Sequence, residues 1–333
     1  MATSTDSGIY SVLDDERING ASAFFQAYDN GIDGSWAGGV STTVSSNSEI
    51  ENYNWLGTAP SMSEWVSEFK YSQVPNYNAT LRNRDWQSGL DIAKGDIRRD
   101  KTMQIRALIS QLGESAAQHP EEIYSDMLLT SETASGTDLY GKAWDGQAFY
   151  DTDHSYANSK FTTNQTNDLT ATEVAALNVG TATAPTADEM ADILVGMITH
   201  FWTLKDDQGR AINGNLRNFT VMAGTGPIAA AAAQAIGRET LTSGESNPVL
   251  GLRQMGLGTL NVVLNPVLSS LTTKIFIMSP DGALRPFIKQ EEVGLEVFEK
   301  DPGPDAKNVL VGAKSTTGYG FARWQSSVIG TLS

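Results

Sequence analysis

Residues 54–100 read NWLGTAPSMSEWVSEFKYSQVPNYNATLRNRDWQSGLDIAKGDIRRD. Three of the chain's seven tryptophans fall in this stretch, namely Trp55, Trp65 and Trp86. Between Trp65 and Leu90 apolar residues alternate with Ser, Asn, Gln, Lys, Arg and Glu, which predicts strands too polar for a buried core. Turn formers at Gln73–Asn76 predict the tip of an antiparallel hairpin there. Because a lone hairpin is marginal in water, it must lean on its own chain or on a neighbour.

The overall composition is that of a globular protein. The chain has 333 residues, of which 40% are hydrophobic and 19% charged, and it has no cysteine, so disulfides and thiolate chemistry are excluded. The first residues lack the basic start and apolar core of a secretory signal, and no apolar run is long enough to span a membrane. With 23 basic and 39 acidic residues the net charge is −16, so most of the surface should repel nucleic acid.

The charges are unevenly distributed along the chain. Residues 1–60 carry eight acidic residues and a single basic one, Arg17. A basic segment follows, made of Arg82, Arg84, Lys94, Arg98, Arg99, Lys101 and Arg106. These segments are either two solvated surfaces or two complementary surfaces that meet across a contact between subunits.

Helix and strand patterns are both present without a βαβ repeat, which predicts an α+β fold. Residues 1–50 predict an extended arm with one helix near Asp15–Tyr28 and an irregular Gly/Ser/Thr-rich run at Gly31–Ser48. Apolar spacing over Ile105–Leu128 predicts one long helix, kinked at Pro120. Thr186 and Glu189 form a capping box before another amphipathic helix. The later elements predicted are a strand at Asn218–Ala223, a helix at Ile228–Ile236, and strands at Thr259–Leu264, Lys274–Met278, Leu284–Lys289, Leu295–Phe298, Asn308–Ala313 and Gly318–Ile329.

No group of residues in the sequence predicts an active site or a cofactor. The Gly224–Ala229 turn resembles a truncated dinucleotide fingerprint, but it lacks the third glycine and the acidic ribose partner, which favours a plain strand-to-helix turn. Asp151–His154 could supply half of a metal site. With only three histidines and no cysteine in the chain, a hydrogen-bonding turn is the favoured interpretation.

Several motifs between Asn54 and His154 occur in the order of one known family. They are Asn54-Trp55-Leu56-Gly57, Pro60-x-Met62-x-Glu64-Trp65, Asn83-x-Asp85-Trp86, Asp96-Ile97, His119-Pro120-Glu121-Glu122 and Asp145-Gly146-Gln147-x-Phe149-Tyr150-x-Thr152-Asp153-His154, with a weaker return at Tyr319-Gly320-Phe321 and Trp324-Gln325. In these motifs the chain resembles the Mu-like prophage major head subunit family.

The resemblance implies the major capsid fold of the Hong Kong 97 phage type. On this basis we expect an N-terminal arm at 1–50, an extended E-loop at 51–95, a peripheral P-domain with the long spine helix at 96–185, an axial A-domain at 186–290 and a return to the P-domain at 291–333.

The function implied is that of a capsid protein without enzymatic activity, assembling as hexamers and pentamers into an icosahedral virion shell around double-stranded DNA in the bacterial cytoplasm. Scaffold, portal and decoration proteins are the further partners expected, with no membrane and no sequence-specific DNA contact. The expected subunit-contact residues are Trp65, Phe69, Lys70, Tyr77, Arg82, Arg84, Arg98 and Arg99. Two alternatives stay open: a nanocompartment shell of the same fold that encloses cargo, and a soluble nucleotide-binding enzyme.

Overall fold

The computed structural model describes residues 22–56, 76–98, 102–156, 161–282, 284–300 and 307–333. Helix α1 covers residues 22–33, and the helices after it are α2 Ala37–Val40, α3 Lys94–Arg98, α4 Thr102–Leu129, α5 Ala187–Thr203, α6 Pro227–Gly237 and α7 Pro248–Gln254. The strands are β1 Ser41–Ser45, β2 Ile50–Leu56, β3 Asn76–Arg82, β4 Arg84–Ala93, β5 Asp168–Leu169, β6 Phe219–Ala223, β7 Leu260–Leu264, β8 Lys274–Met278, β9 Phe287–Lys300, β10 Asn308–Phe321 and β11 Ser327–Thr331.

The long helix α4 is continuous through Pro120, which confirms the single helix predicted from the apolar spacing. Its buried residues Ile109 and Leu112 pack with Phe24 of α1 and with strand β10. The two helices cross closely because a glycine faces the contact: a Cβ at Gly113 would lie 2.5 Å from the carbonyl oxygen of Phe24. Small residues at a crossing point allow two helix axes to lie closer together than larger side chains would permit.

A four-stranded sheet in the order β1-β9-β10-β4 forms the floor under α4. Strands β9 and β10 are antiparallel and 14 residues long each, so the strands predicted at Leu295–Phe298 and Asn308–Ala313 are confirmed as strand but with bounds that are too short. The single strand predicted at Gly318–Ile329 is wrong, because β10 ends at Phe321 and β11 begins at Ser327. The β9–β10 pairing shifts its register between Lys314 and Thr317, where the sequence pattern predicts a gap between two strands, but β10 itself continues. Strand β1 pairs in parallel with the start of β9, so the irregular run predicted at Gly31–Ser48 is wrong as well.

The second sheet has the order β5-β11-β8-β6-β7, and helix α5 packs against β11 and against α6 and α7. The predicted capping box is confirmed, since Thr186 accepts a hydrogen bond from the Glu189 amide and Glu189 accepts one from the Thr186 amide. The strand-to-helix turn from β6 to α6 is confirmed too. Strand β11 lies in this sheet beside β8, so residues 291–333 contribute strands to both sheets.

Stacked aromatic rings join the two sheets and α4 in one buried core. The ring of Tyr124 on α4 stacks on Phe287 of β9, with centroids 4.5 Å apart. Phe149 stacks on Phe321 of β10 at 4.3 Å. Large buried aromatic side chains of this kind contribute much of the apolar area removed from water on folding. This core holds the four-stranded sheet and α4 in fixed positions.

The predicted hairpin has a different partner strand in the structure. Strand β3 pairs antiparallel with β2, from Ile50 opposite Arg82 to Leu56 opposite Asn76. Leu90, expected in the hairpin, lies on β4 in the four-stranded sheet. The predicted tip at Gln73–Pro75 lies outside the described residues. The first half of the predicted hairpin lies outside the described residues as well, and Ile50–Leu56, which contains aromatic and β-branched side chains, is the strand that pairs with β3.

The helix predicted near Asp15–Tyr28 overlaps α1, although residues 1–21 lie outside the described part of the chain. Phe24 of α1 is fully buried and packs against α4. The described part of the predicted arm is therefore docked on the rest of the subunit through α1 and β1.

Candidate subunit-contact surface

Strands β2 and β3 form a two-stranded ribbon that stands apart from both larger sheets. Within the described residues neither strand pairs with a third strand, although the Leu139 amide donates a hydrogen bond of 2.9 Å to the Thr80 carbonyl oxygen of β3. Ile50, at the base of the ribbon, is half exposed. Unpaired edges and exposed apolar side chains are the features through which a strand binds another chain.

The ribbon is attached at its base through Asn83, a buried side chain between β3 and β4. The side-chain amide nitrogen of Asn83 lies 2.8 Å from the Ser48 carbonyl oxygen, 3.0 Å from Glu292 Oε2 and 3.1 Å from Ser46 Oγ. Its Oδ1 accepts a hydrogen bond of 2.9 Å from Gln290 Nε2. One side chain therefore joins the segment before β2 to strand β9.

Two glycines of β10 make room for the ribbon base. A Cβ at Gly318 would lie 3.3 Å from Leu81 Cγ, and one at Gly320 would lie 3.0 Å from Leu81 Cδ1. Leu81 itself is buried. Tyr53 on β2 adds a hydrogen bond of 2.8 Å from its hydroxyl to Gln290 Oε1. The base is thus held by packing and hydrogen bonds, which sets the direction in which the ribbon leaves the subunit.

The predicted contact residues are only partly within the structure. Trp65, Phe69, Lys70 and Arg99 lie outside the described residues, and Arg98 is described only as the last position of α3. Tyr77 is a ribbon position on β3 opposite Trp55. These positions stay predictions.

Arg82 and Arg84 have partners within their own subunit. Arg82, on the exposed face of the ribbon, lies 2.5 Å from Glu49, so this pair joins the acidic N-terminal segment to the basic one inside a single chain. The Arg84 guanidinium lies 4.3 Å from the centroid of the Tyr140 ring, a cation–π arrangement. A contact between subunits that used either side chain would add to these interactions or replace them.

Trp86, which the sequence places in the hairpin, anchors β4 to the core. Its Nε1 donates a hydrogen bond of 3.0 Å to the Thr317 carbonyl, and its ring lies 4.4 Å from that of His119 on α4. Sequence reasoning missed Asn83 as the organising side chain, although the Asn83-x-Asp85-Trp86 motif contains it. The sequence neighbours of Asn83 are mostly polar or charged, so nothing in the local sequence indicates that its side chain is buried.

The Asp151–His154 turn has the structural role predicted for it. His154 is fully buried, with Nδ1 2.7 Å from Asp145 Oδ2 and Nε2 3.2 Å from Asn167 Oδ1. Its ring stacks on Trp324, with centroids 4.1 Å apart. No group of His, Asp and Glu among the described residues could hold a metal ion. The turn joins the loop after α4 to the C-terminal segment.

The Gly224–Pro227 turn also has a structural explanation. A Cβ at Gly224 would lie 2.4 Å from the carbonyl oxygen of Leu268, so the glycine is required by close backbone packing. Pro227 begins α6, a position that suits a residue without an N–H group. No helix in the part of the chain that the structure describes is both long and apolar enough to cross a bilayer.

The architecture is that of tailed-phage major capsid proteins of the Hong Kong 97 type. The chain is similar to the bacteriophage JBD30 procapsid, with a TM-score of 0.51, 17% identity and coverage of 94% of this chain and 74% of that one. It is also similar to the mature capsid of bacteriophage PhiM1, with a TM-score of 0.53, 12% identity and coverage of 90% and 87%. At these identities the similarity establishes the fold alone.

The family is established from the sequence. The family model described as Mu-like prophage major head subunit gpT matches residues 18–185, and the chain belongs to this family. The Mu-like prophage FluMu major head subunit of Haemophilus influenzae is 28% identical over 126 residues, which are 38% of this chain and 39% of that protein. The major capsid protein of Escherichia phage Mu is 25% identical over 115 residues, 34% of this chain and 35% of that protein. The matched segments thus span well under half of either relative.

Proposed function

We propose that the chain is the major head subunit of a tailed phage or Mu-like prophage. Many copies self-assemble as hexamers and pentamers into an icosahedral shell that encloses double-stranded DNA. The shell forms in the bacterial cytoplasm and becomes part of the virion. The proposal gives the chain no catalytic role. It is supported by family membership, by the capsid fold and by one feature of the subunit itself.

That feature is the β2–β3 ribbon. Its base is fixed by the buried Asn83 and by Leu81, while neither outer edge pairs with a further strand among the described residues. A two-stranded ribbon without further support is marginal in water. A fixed base with unsupported edges is therefore the arrangement expected of an arm that is completed by a neighbouring subunit.

The domain assignment is part of the proposal. The ribbon corresponds to the E-loop at 51–95, α4 to the spine helix of the P-domain at 96–185, and the five-stranded sheet with α5 and α6 to the A-domain at 186–290. Residues 1–50 form the N-terminal arm. The segment 291–333 returns to the P-domain through β9 and β10 and then enters the A-domain sheet through β11.

The net charge of −16 fits a wall that encloses DNA without binding it tightly, because phosphate binding depends on clustered Lys and Arg. Scaffold, portal and decoration proteins are the further partners proposed.

Negative-stain electron microscopy of the purified full-length protein tests the proposed function. We expect capsomers or closed shells, and a protein that stays monomeric over a wide range of concentration and salt would contradict the proposal. Particles isolated from the host should protect DNA from nuclease. Particles that enclose a protein cargo and no DNA would favour a nanocompartment shell.

Shortening the ribbon tests the contact. Replacing residues 54–78 with Asn-Gly would join Tyr53 to Ala79, which face each other in the register, through a two-residue hairpin loop. The anchors Asn83 and Leu81 stay in place, so the rest of the subunit should still fold, as a cooperative urea-unfolding transition would show. We expect folded subunits that do not close into shells. Normal shells from this variant would show that the ribbon is not the assembly arm.

A further inference from the structure

The three histidines of the chain differ in their hydrogen bonding. Both ring nitrogens of His154 have partners, and His200 Nε2 lies 3.1 Å from the Thr166 carbonyl oxygen. His119, near the middle of α4, differs: its Nε2 is buried and has no hydrogen-bond partner in the part of the chain that the structure describes. A buried polar atom without a partner is unusual in a native fold and calls for a reason.

Aromatic rings from the four-stranded sheet surround His119. The ring of Trp86 on β4 meets it edge-on at 4.4 Å, and that of Tyr319 on β10 meets it at 5.7 Å. A cavity of about 110 Å³, lined in part by His119 and Trp86, lies between α4 and the sheet. The two rings pack against the imidazole, and no described residue hydrogen-bonds its Nε2.

The charged groups around His119 act in opposite directions. Burial lowers its pKa from the ordinary value, Glu122 on the same helix raises it and Lys289 on β9 lowers it further, with burial the largest effect. Lys314 of β10 lines the adjacent cavity, to which β4 contributes Trp86, Gln87 and Ser88. The neutral form is therefore the one that the folded junction favours.

The helix also lacks a backbone hydrogen bond at this turn. Pro120 follows His119 directly and has no N–H to donate to the carbonyl of Ala116, one turn earlier. Ala116 lines the same cavity. A missing helix bond and an unpartnered ring nitrogen thus lie side by side at the contact between α4 and the sheet.

We propose that the His119 junction is a proton-sensitive contact, at which protonation in mild acid loosens the middle of α4 from the four-stranded sheet. A base whose pKa is lower in the folded state takes up its proton more readily once the contact opens. The stabilisation is complete above the ordinary histidine pKa and is lost as the pH falls toward the lowered one. The device belongs to the subunit and does not depend on the proposed shell.

Hydrogen–deuterium exchange of the full-length protein tests the proposal. Peptides that cover Ser115–Tyr124 should lose protection between pH 7.5 and 5.5, after correction for intrinsic exchange, by at most about tenfold per pH unit for one proton. His119→Phe keeps an aromatic ring without the titration and should abolish this pH-dependent loss. His200→Asn is the matched control and should behave as the wild type.

Equal loss of protection in the wild type and in His119→Phe would overturn the proposal. Should the phenylalanine variant misfold, His119→Gln serves in the same assay. NMR of the protein labelled with [13C]histidine provides an independent test: the His119 signal, assigned by its absence in His119→Phe, should titrate below the ordinary histidine range. If that signal titrates within or above the ordinary range, the proposal is wrong.

Discussion

Replacing Asn83 with alanine tests how the ribbon is held. The substitution removes the hydrogen bond to Gln290 Nε2 and the contacts to the Ser48 carbonyl and to Glu292. Gln290 is fully buried, and its other acceptor, the Leu81 carbonyl, is 3.5 Å away. An unsatisfied buried donor costs about 1–3 kcal/mol and each lost hydrogen bond about 1 kcal/mol. The contact to Glu292 adds little, because Glu292 is exposed and solvent screens its charge. We therefore expect Asn83→Ala to lower the free energy of unfolding by about 2–4 kcal/mol.

Urea unfolding of dissociated subunits measures this loss as a change in the free energy of unfolding. Asn52→Ala is the matched control, because it removes the same side chain from an exposed position on the same ribbon. The control should change the free energy of unfolding by no more than about 0.5 kcal/mol. If Asn83→Ala is as mild as Asn52→Ala, the hydrogen bonds at the base do not hold the ribbon.

Three further predictions concern other parts of the subunit. Gly113→Ala should lower the free energy of unfolding by about 1–3 kcal/mol in urea titrations, because the new Cβ would lie 2.5 Å from a carbonyl oxygen of α1. Glu189→Ala should cost about 1 kcal/mol at neutral pH by breaking the capping box with Thr186. Hydrogen bonds from backbone amides lower the Glu189 pKa, so a melting series should show this difference shrinking as the pH falls through the lowered value. Arg98→Glu combined with Arg99→Glu should slow assembly measured by light scattering, most strongly at low salt. An assembly rate that changes with neither the substitutions nor the salt concentration would contradict an electrostatic contact at these residues.

Elements with local signals could be predicted from the sequence. The capping box at Thr186 fixes where α5 begins, and the 3.6-residue apolar spacing on both sides of Pro120 identifies α4. Both patterns depend only on residues that are close together in the sequence. Strand β8 was predicted with its observed bounds, Lys274–Met278. The family motifs then supplied the fold, which no local pattern specifies.

Elements that depend on distant partners could not be predicted in this way. Strand β1 pairs Ser41 with Phe287, far along the chain, and its own Gly/Ser/Thr-rich surroundings are typical of a loop. Strands β9 and β10 run through positions that read as breaks, because each is supported by a neighbour along its length. Asn83 was missed for the same reason: its burial depends on Gln290 and Glu292, which only the folded sheet brings to it.

The central claim is that a neighbouring subunit completes the β2–β3 ribbon. Cryo-electron microscopy of assembled particles tests it most directly, by tracing the ribbon in the density of one subunit and measuring its contacts with the next. The account predicts that at least one of the unpaired ribbon edges, or the exposed Ile50 at its base, packs against an adjacent copy. A ribbon that contacts only its own subunit in closed shells would contradict the account.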